Sequence, residues 1–392
     1  MTAKAVLKKL KEKRVYSLHP WIFKSDIDHV EGHYVPGEIV NITNDKGKFL
    51  AKGYYNPNSQ IALRIMSYHE DEQIDRSLIQ ERIHDAIDYR RTFADLKSCR
   101  LIFAESDRLP ALIVDAFNDV LVVQCLALGM ERFKRDIIDA LISEMHPRGI
   151  WERNDVPVRK LEGLEMQTGL LYGEVPDRVE IMENGIRFLV DVKEGQKTGY
   201  FLDQKENRAA IAPFVKNQKV LDCFTHTGSF ALHAGHYGAS EVTGVDISEY
   251  ACAFAGENAR INNLDNRVRF VTANAFDLLS EQSRRGEKYD TIILDPPAFT
   301  KSRGTVDNAI RGYKEINLRA MKMIRTGGYL VSCSCSQHVL PDMFRNMIND
   351  AAKDAKVILR QAEFRSQGKD HPILPWAKET EYLKCGIYQV LR

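Results

Sequence analysis

The sequence predicts an α/β chain: a Rossmann-like C-terminal domain, a small β-rich N-terminal domain and a central α+β domain. Three observations predict it. The stretch 288–337 reads as strand, helix, strand, the crossover that builds a parallel sheet. From about residue 185 strands and helices alternate to the end of the chain, the α/β signature. Before residue 73, short strand-like runs are separated by turn signals and carry no helical period. In open α/β sheets, chemistry sits beyond the carboxyl ends of the strands. Two such ends in 288–337 carry Asp295-Pro296-Pro297 and Cys335, which places both in one candidate site.

Residues 1–73 are expected to form the first domain. Gly37 to Ile42 and Phe49 to Tyr55 flank the turn Asn44-Asp45-Lys46-Gly47, as in a hairpin. Ile61 to Met66 adds another strand after Asn56-Pro57-Asn58-Ser59. Trp21 and Phe23 suit either core packing or an aromatic surface for nucleotide stacking. Six basic residues (Lys4, Lys8, Lys9, Lys11, Lys13, Arg14) face one acidic residue, Glu12, at the start of the chain. Such a run is a solvated face or a contact for phosphate.

Residues 74–184 are expected to form the central domain. Leu78, Ile79, Ile83, Ala86, Ile87 and Tyr89 recur at helical spacing within Arg76 to Phe93. A strand is expected over Val120 to Leu126 and a helix around Arg132 to Glu144. No catalytic constellation is visible here; Arg153, Arg159 and Lys160 read as a solvated basic face.

Residues 185–392 are expected to form the catalytic domain. Lys219 to Phe224 is an apolar strand that breaks at Thr225-His226-Thr227-Gly228-Ser229 before a helix begins. A turn of small residues lets a ligand approach the backbone. Its single glycine is not the GxGxxG of a dinucleotide site. Asp222, near the strand's end, can accept from a ligand ammonium. Asp246 ends the next strand, where an acid is placed to accept ribose hydroxyls. Asn274-Ala275 follows a third strand and offers an adenine edge contact. The turn, the acid and the Asp-Pro-Pro, in that order, resemble a Rossmann-like S-adenosylmethionine-dependent methyltransferase. The rival reading is an α/β fold whose strand-end acids are merely satisfied.

Asp295 alone fits methylation of either an amino group or a ring carbon. Cys335 separates the two. Carbon-5 of a pyrimidine is a poor nucleophile until a thiolate adds at carbon-6, and that needs an accessible thiol of lowered pKa. Asp295 would then hold the nitrogen-3 edge. Cys333 lies two residues earlier, on the same strand face; as the residue nearer the ligand end, Cys335 is the preferred nucleophile. No base for the carbon-5 proton is identifiable.

His19-Pro20-Trp21, Glu105-Ser106-Asp107 with Leu109-Pro110, Lys197 to Gln204, Asp222 to Phe230, Asp295 to Phe299, Ser334-Cys335-Ser336 and Asp370-His371-Pro372 carry a closer resemblance. Together they resemble the large-subunit ribosomal RNA cytosine-5 methyltransferases of the RlmI type, over nearly the whole chain. The resemblance implies an N-terminal PUA domain for RNA, a central α+β domain and a C-terminal methyltransferase domain. It implies Cys335 as nucleophile and Asp295 as its partner acid. The implied S-adenosylmethionine set is Tyr200, Gln204, Asp222, Phe224, Thr227, Gly228, Asp246, Ile247, Asn274, Ala275 and Asp295. Asn274 stands where relatives often carry Asp. Ala298 follows Pro297, where other RNA cytosine-5 methyltransferases carry a second cysteine.

The expected partner is 23S ribosomal RNA, naked or in an assembling large subunit; a homodimer is left open. Two other readings stand: a methyltransferase of an exocyclic amine or guanine that uses Asp295 without a covalent step, and an RNA-binding assembly factor. Composition sets outer limits. At 392 residues, 44% hydrophobic and 28% charged, the chain is an ordinary globular one with a net charge of only +1. Its seven cysteines form no CxxC pair, so neither zinc nor a disulfide framework is expected. No apolar run reaches membrane-spanning length, and a reducing, cytoplasmic setting is expected.

Overall fold

A computed structural model describes residues 2–300 and 302–391. The chain forms two compact units. The first holds residues 1–181, 189–202 and 369–380; the second holds 182–188, 203–368 and 381–392.

In the first unit, a six-stranded sheet is built from Lys4–Leu7, Trp21–Ile22, Ile27–Glu31, Ile39–Thr43, Phe49–Tyr55 and Leu63–Ser67. Ile39–Thr43 and Phe49–Tyr55 pair antiparallel across the Asn44 turn. The Asn44 side chain closes that turn, its Oδ1 accepting from the N–H groups of Lys46 and Lys48. A five-stranded sheet follows, with spatial order Gln167–Gly173, Gly149–Asn154, Val120–Cys125, Leu112–Phe117, Ser98–Phe103. The helix Arg76–Arg91 starts where Asp75 caps it, accepting from the N–H groups of Ser77 and Leu78. Tyr54 and Met66 of the first sheet pack in one apolar cluster with Ile79, Ile83 and Leu112. The Tyr54 hydroxyl also donates to the Pro110 carbonyl at 2.9 Å. The β-rich and α+β regions therefore share a core.

One charge reading is corrected here. Arg153 and Arg159 are buried, not solvated. The Arg153 guanidinium pairs with Asp155 and donates to the carbonyls of Val192 and Gly195. Arg159 pairs with Glu131 at 2.8 Å. A buried guanidinium needs a full set of acceptors, and these partners supply it. Lys160 alone of the three is exposed.

Several of the motif residues are tied to one another within this unit. Trp21 Nε1 donates to Glu105 at 2.7 Å, and Arg64 lies over the Trp21 ring. Arg90 forks onto Asp107 and donates to the Asp370 carbonyl. The Asp370 carboxylate accepts from the Arg100 N–H and bonds His371. Neighbouring His371 and these donors hold the Asp370 carboxyl below its usual range despite burial.

The second unit is a seven-stranded sheet. Its strands are β1 (Lys219–Cys223), β2 (Glu241–Asp246), β3 (Val268–Thr272), β4 (Tyr289–Leu294), β5 (Ile324–Ser334), β6 (Ile358–Arg365) and β7 (Lys384–Leu391). Their spatial order is 3-2-1-4-5-7-6, with β7 antiparallel to both neighbours. Five helices follow strands in turn: α1 (Ser229–His236), α2 (Glu249–Ile261), α3 (Ala275–Arg285), α4 (Val306–Met323) and α5 (Pro341–Ala355). One face of the sheet is covered by a single apolar cluster that joins Leu221, Val245, Ile292 and Leu330 to Leu279 of α3, Tyr313 and Ile316 of α4, and Phe344 of α5. Burying such side chains stabilises by about 1.5–3 kcal/mol each. The sheet order reverses direction between β1 and β4, which opens a crevice beyond their carboxyl ends. Among the described residues no helix is long and apolar enough to cross a membrane.

Candidate active site

The crevice is lined from one side by the turn after β1. Phe224 and His226 have φ of 67° and 51°, and Gly228 has φ of 89°. Gly228 has no room for a side chain: a Cβ would lie 2.9 Å from the Phe270 ring and 3.1 Å from Ala255. The chain therefore turns tightly into α1, with the Thr225 N–H on the Val245 carbonyl and the Gly228 N–H on the Thr225 carbonyl. Thr227 is buried in the same turn, and Phe224 is half-buried against Phe276.

Asp222 lies fully buried under this turn. One carboxylate oxygen accepts from the Thr225 hydroxyl at 2.5 Å and the Ala231 N–H at 2.9 Å. The other oxygen is buried with no partner among the described residues. Burial, with Asp295 and Asp246 adding like charge, pushes the carboxyl up to about 8. That second oxygen lacks a cation or donor. A ligand ammonium would fill the gap and restore its charge.

Asp246 ends β2. It accepts from the His226 N–H at 2.9 Å and the Ser248 N–H at 3.0 Å. Each oxygen keeps a lone pair for a ligand hydroxyl. Next to it, Ile247 is 71% exposed, a large apolar side chain held in solvent beside the crevice. Asn274 caps α3, its oxygen accepting from the Phe276 N–H at 2.9 Å. Its amide N–H groups remain to donate, which Asp could not do. Ala275 is buried in the first turn of that helix.

The opposite side is the Asp295 turn after β4. β1 and β4 run side by side, with Cys223 opposite Leu294 and the Asp295 N–H reaching the Cys223 carbonyl at 3.4 Å. Gln204 donates to Asp295 Oδ1 at 2.8 Å. Its own carbonyl oxygen accepts from Asn207 at 2.7 Å, and Asn207 accepts from Arg365 Nε at 3.1 Å. A guanidinium, two amides and the carboxylate thus form one directed chain, all donors pointing toward Asp295. Gln204 and Asn207 are both buried. Asn207 and Arg365 escaped the sequence reading. The signal for Asn207 was its position three residues after Gln204 near the start of the helix Lys205–Ala210, which puts both on one face. Arg365, at the end of β6, gave none.

β5 brings in the thiols. Cys333 is fully buried; Cys385 beside it and burial push its thiol well above the ordinary range. A thiol in that state is a core residue. Cys335 is half-buried just past the strand's end, and its Sγ lies 3.9 Å from the Pro296 carbonyl. The thiol and the Asp-Pro-Pro turn therefore meet. None of the seven cysteines is in a disulfide. Ser336 is held from two sides: its hydroxyl bonds Tyr313 at 2.9 Å, and its carbonyl accepts from Lys384 at 2.8 Å. Tyr200, by contrast, belongs to the first unit, where it is buried.

A family model described as an S-adenosylmethionine-dependent methyltransferase matches residues 164–376, and one described as a PUA-like domain matches residues 5–68. Several curated relatives carry the name ribosomal RNA large subunit methyltransferase I. That of Tolumonas auensis is 43% identical and the alignment covers 100% of both chains. That of Aeromonas salmonicida is 40% identical, covering 96% of this chain and 97% of the relative. That of Escherichia coli O139:H28 is 40% identical over the whole of both. Among solved structures, a chain described as "a putative methyltransferase complexed with SAH" superposes with a TM-score of 0.85 over 99% of this chain and 100% of that one, at 20% identity. A Streptococcus mutans chain gives 0.84 with the same coverage and identity. These two share the fold.

Proposed function

The chain belongs to the S-adenosylmethionine-dependent ribosomal RNA large subunit methyltransferase I family, and from that premise we propose that it methylates carbon-5 of a cytosine in 23S ribosomal RNA through a covalent bond to Cys335. The observation that carries this reading is the half-buried Cys335 thiol against the Asp295-Pro296-Pro297 turn, while Cys333 is sealed in the core.

The residues around the crevice fit the cofactor. The buried, unpartnered oxygen of Asp222 asks for a cation, Asp246 has lone pairs for ribose hydroxyls, and Ile247 offers an apolar surface to a flat base. Asn274 would meet the adenine edge as a donor. Phe224, Thr227, Gly228 and Ala275 shape the walls, and Gln204 and Asp295 close the far side. Tyr200 is assigned to the cofactor by family resemblance. When bound, S-adenosylmethionine supplies an electrophilic methyl group.

Cys335 adds to carbon-6 of the cytosine as a thiolate. The S–C6 bond forms and the C5–C6 π pair moves onto carbon-5, which becomes nucleophilic enough to take the methyl. Asp295, aimed by Gln204, holds the nitrogen-3 edge and keeps the ring in the plane of attack. Loss of the carbon-5 proton returns the electron pair to the ring, the S–C6 bond breaks, and the thiolate is regenerated. A cytosine in a helix must leave its stack to reach the thiol. The PUA-like region and the exposed lysines Lys4, Lys8, Lys9, Lys11 and Lys13 would contact phosphates, so binding should weaken as salt rises.

RNA carrying 5-fluorocytosine tests the covalent step, because carbon-5 then has no proton to lose. With S-adenosylmethionine present, a stable protein–RNA adduct should form and map to Cys335. Methyl transfer without any adduct would favour the amine or guanine reading.

A further inference from the structure

We propose that Lys384 is the positioning residue that activates Cys335: its buried ammonium, anchored on the Ser336 and Tyr382 carbonyls, stabilises the Cys335 thiolate. The inference rests on the reading of Cys335 as nucleophile, and it gives that thiol the lowered pKa the chemistry needs.

Lys384 opens β7 directly opposite Ser334 of β5. Only 2% of it is exposed. Its Nζ donates to the Ser336 carbonyl at 2.8 Å and the Tyr382 carbonyl at 2.8 Å. Both acceptors are neutral, and a third N–H remains. Among the described residues no carboxylate forms an ion pair with it. Buried lysines without a counter-ion are rare, because an unpaired charge out of water is strongly disfavoured. A plain tie between two strand ends would need only a neutral donor.

The charge has a use one residue away. Ser336, whose carbonyl holds Nζ, is the neighbour of Cys335, and the ammonium and the thiolate attract each other. Tyr313, Asp295 and Glu381 supply no positive charge here. Tyr313 of α4 is neutral, and burial raises its pKa further. Asp295, on the turn that touches the thiol, and Glu381, just before β7, are acids that oppose a second negative charge. Lys384 is the cation in this group. Burial lowers it to about 8, with Cys335 and Glu381 pulling it back up. Ammonium and thiolate therefore favour each other near neutral pH and titrate as a pair.

The test is the pH dependence of Cys335 alkylation by iodoacetamide in the full chain, read by mass spectrometry at that residue, without RNA or cofactor. In the wild type and in Lys384→Arg the midpoint should lie at least one unit below the pH 8.5 or so of an ordinary thiol. In Lys384→Met and Lys384→Gln it should rise by about one unit or more, with about tenfold slower alkylation at pH 7. Gln keeps a donor for the carbonyls and removes the charge. A Lys384→Gln variant that alkylates like the wild type would make Lys384 a structural tie and overturn the proposal. A wild-type midpoint at or above the ordinary thiol value would overturn it without any variant. Because no methyl is transferred in the assay, a shifted thiol in a protein that makes no 5-methylcytosine would leave Lys384's role standing and remove the assigned reaction.

Discussion

Replacing Asp222 with Asn should stabilise the free protein and weaken its hold on the cofactor, and the stabilisation should grow with pH. The carboxyl titrates near 8 in the folded chain, raised by burial, against 3.8 for the ordinary group. Between those values the folded state binds the extra proton, so stability falls as pH rises, by roughly 1.4 kcal/mol per unit at most. From pH 5 to 8 this amounts to a ceiling of about 4 kcal/mol. Asn removes that slope. It also buries an amide N–H pair where the unpartnered oxygen lies, which opposes the gain by about 1–3 kcal/mol. The net expectation is a small effect of either sign at pH 5 and a gain of about 1–3 kcal/mol at pH 8. Urea unfolding of both proteins at several pH values measures the difference. In parallel, calorimetry in buffers of different ionisation enthalpy should detect a proton released by Asp222 when S-adenosylmethionine binds the wild type at pH 7, and less release in Asp222→Asn. A variant less stable than the wild type by a constant amount across pH 5–8 would refute the reasoning. It would mean that the native carboxylate is already charged and paired.

Three further outcomes follow from the geometry. Asn207→Leu cuts the chain from Arg365 to Asp295 and leaves the Gln204 carbonyl unpaired; kcat should fall about tenfold, corresponding to about 1.4 kcal/mol, while cofactor affinity measured by calorimetry changes little. Arg208→Met takes the guanidinium from the buried Glu183 carboxylate, whose two oxygens it holds at 2.5 and 2.8 Å, and should lower unfolding stability by about 3–5 kcal/mol. Asn274→Ala removes the cap of α3 and should lower stability by about 1 kcal/mol and weaken cofactor binding, whereas Asn274→Asp should retain the cap.

Much of the second unit was legible because Asp222, Asp246 and Asp295 sit at or beside strand ends, and strand ends can be read from apolar runs. Tyr289–Leu294 and the following Asp295 are one case; Glu241–Asp246 is another. The helix expected between the two strands of 288–337 is α4, which buries Tyr313, Ile316 and Met321 and ends at Met323, where Ile324 already begins β5. Charge was harder to read. A sequence gives the number of arginines but not their partners, so Arg153 and Arg159 passed for a solvated face while Val192, Gly195 and Glu131 hold them in the interior. The same limit hid Lys384, whose importance depends on the register of an antiparallel strand about 50 residues from Ser334 in the chain. It also hid the relay to Asp295, which joins residues 204, 207, 295 and 365. Nor did the turn between Phe49–Tyr55 and Leu63–Ser67 reveal that Tyr54 reaches the core beneath the next sheet.

The most direct test of the central claim is the identity of the methylated nucleoside. Wild type, Cys335→Ala and Cys333→Ala would each be incubated with labelled S-adenosylmethionine and 23S RNA lacking its native methylations, and the RNA digested and analysed. The account predicts 5-methylcytosine from the wild type and from Cys333→Ala, and none from Cys335→Ala. A different methylated base, or 5-methylcytosine that persists in Cys335→Ala, would contradict it.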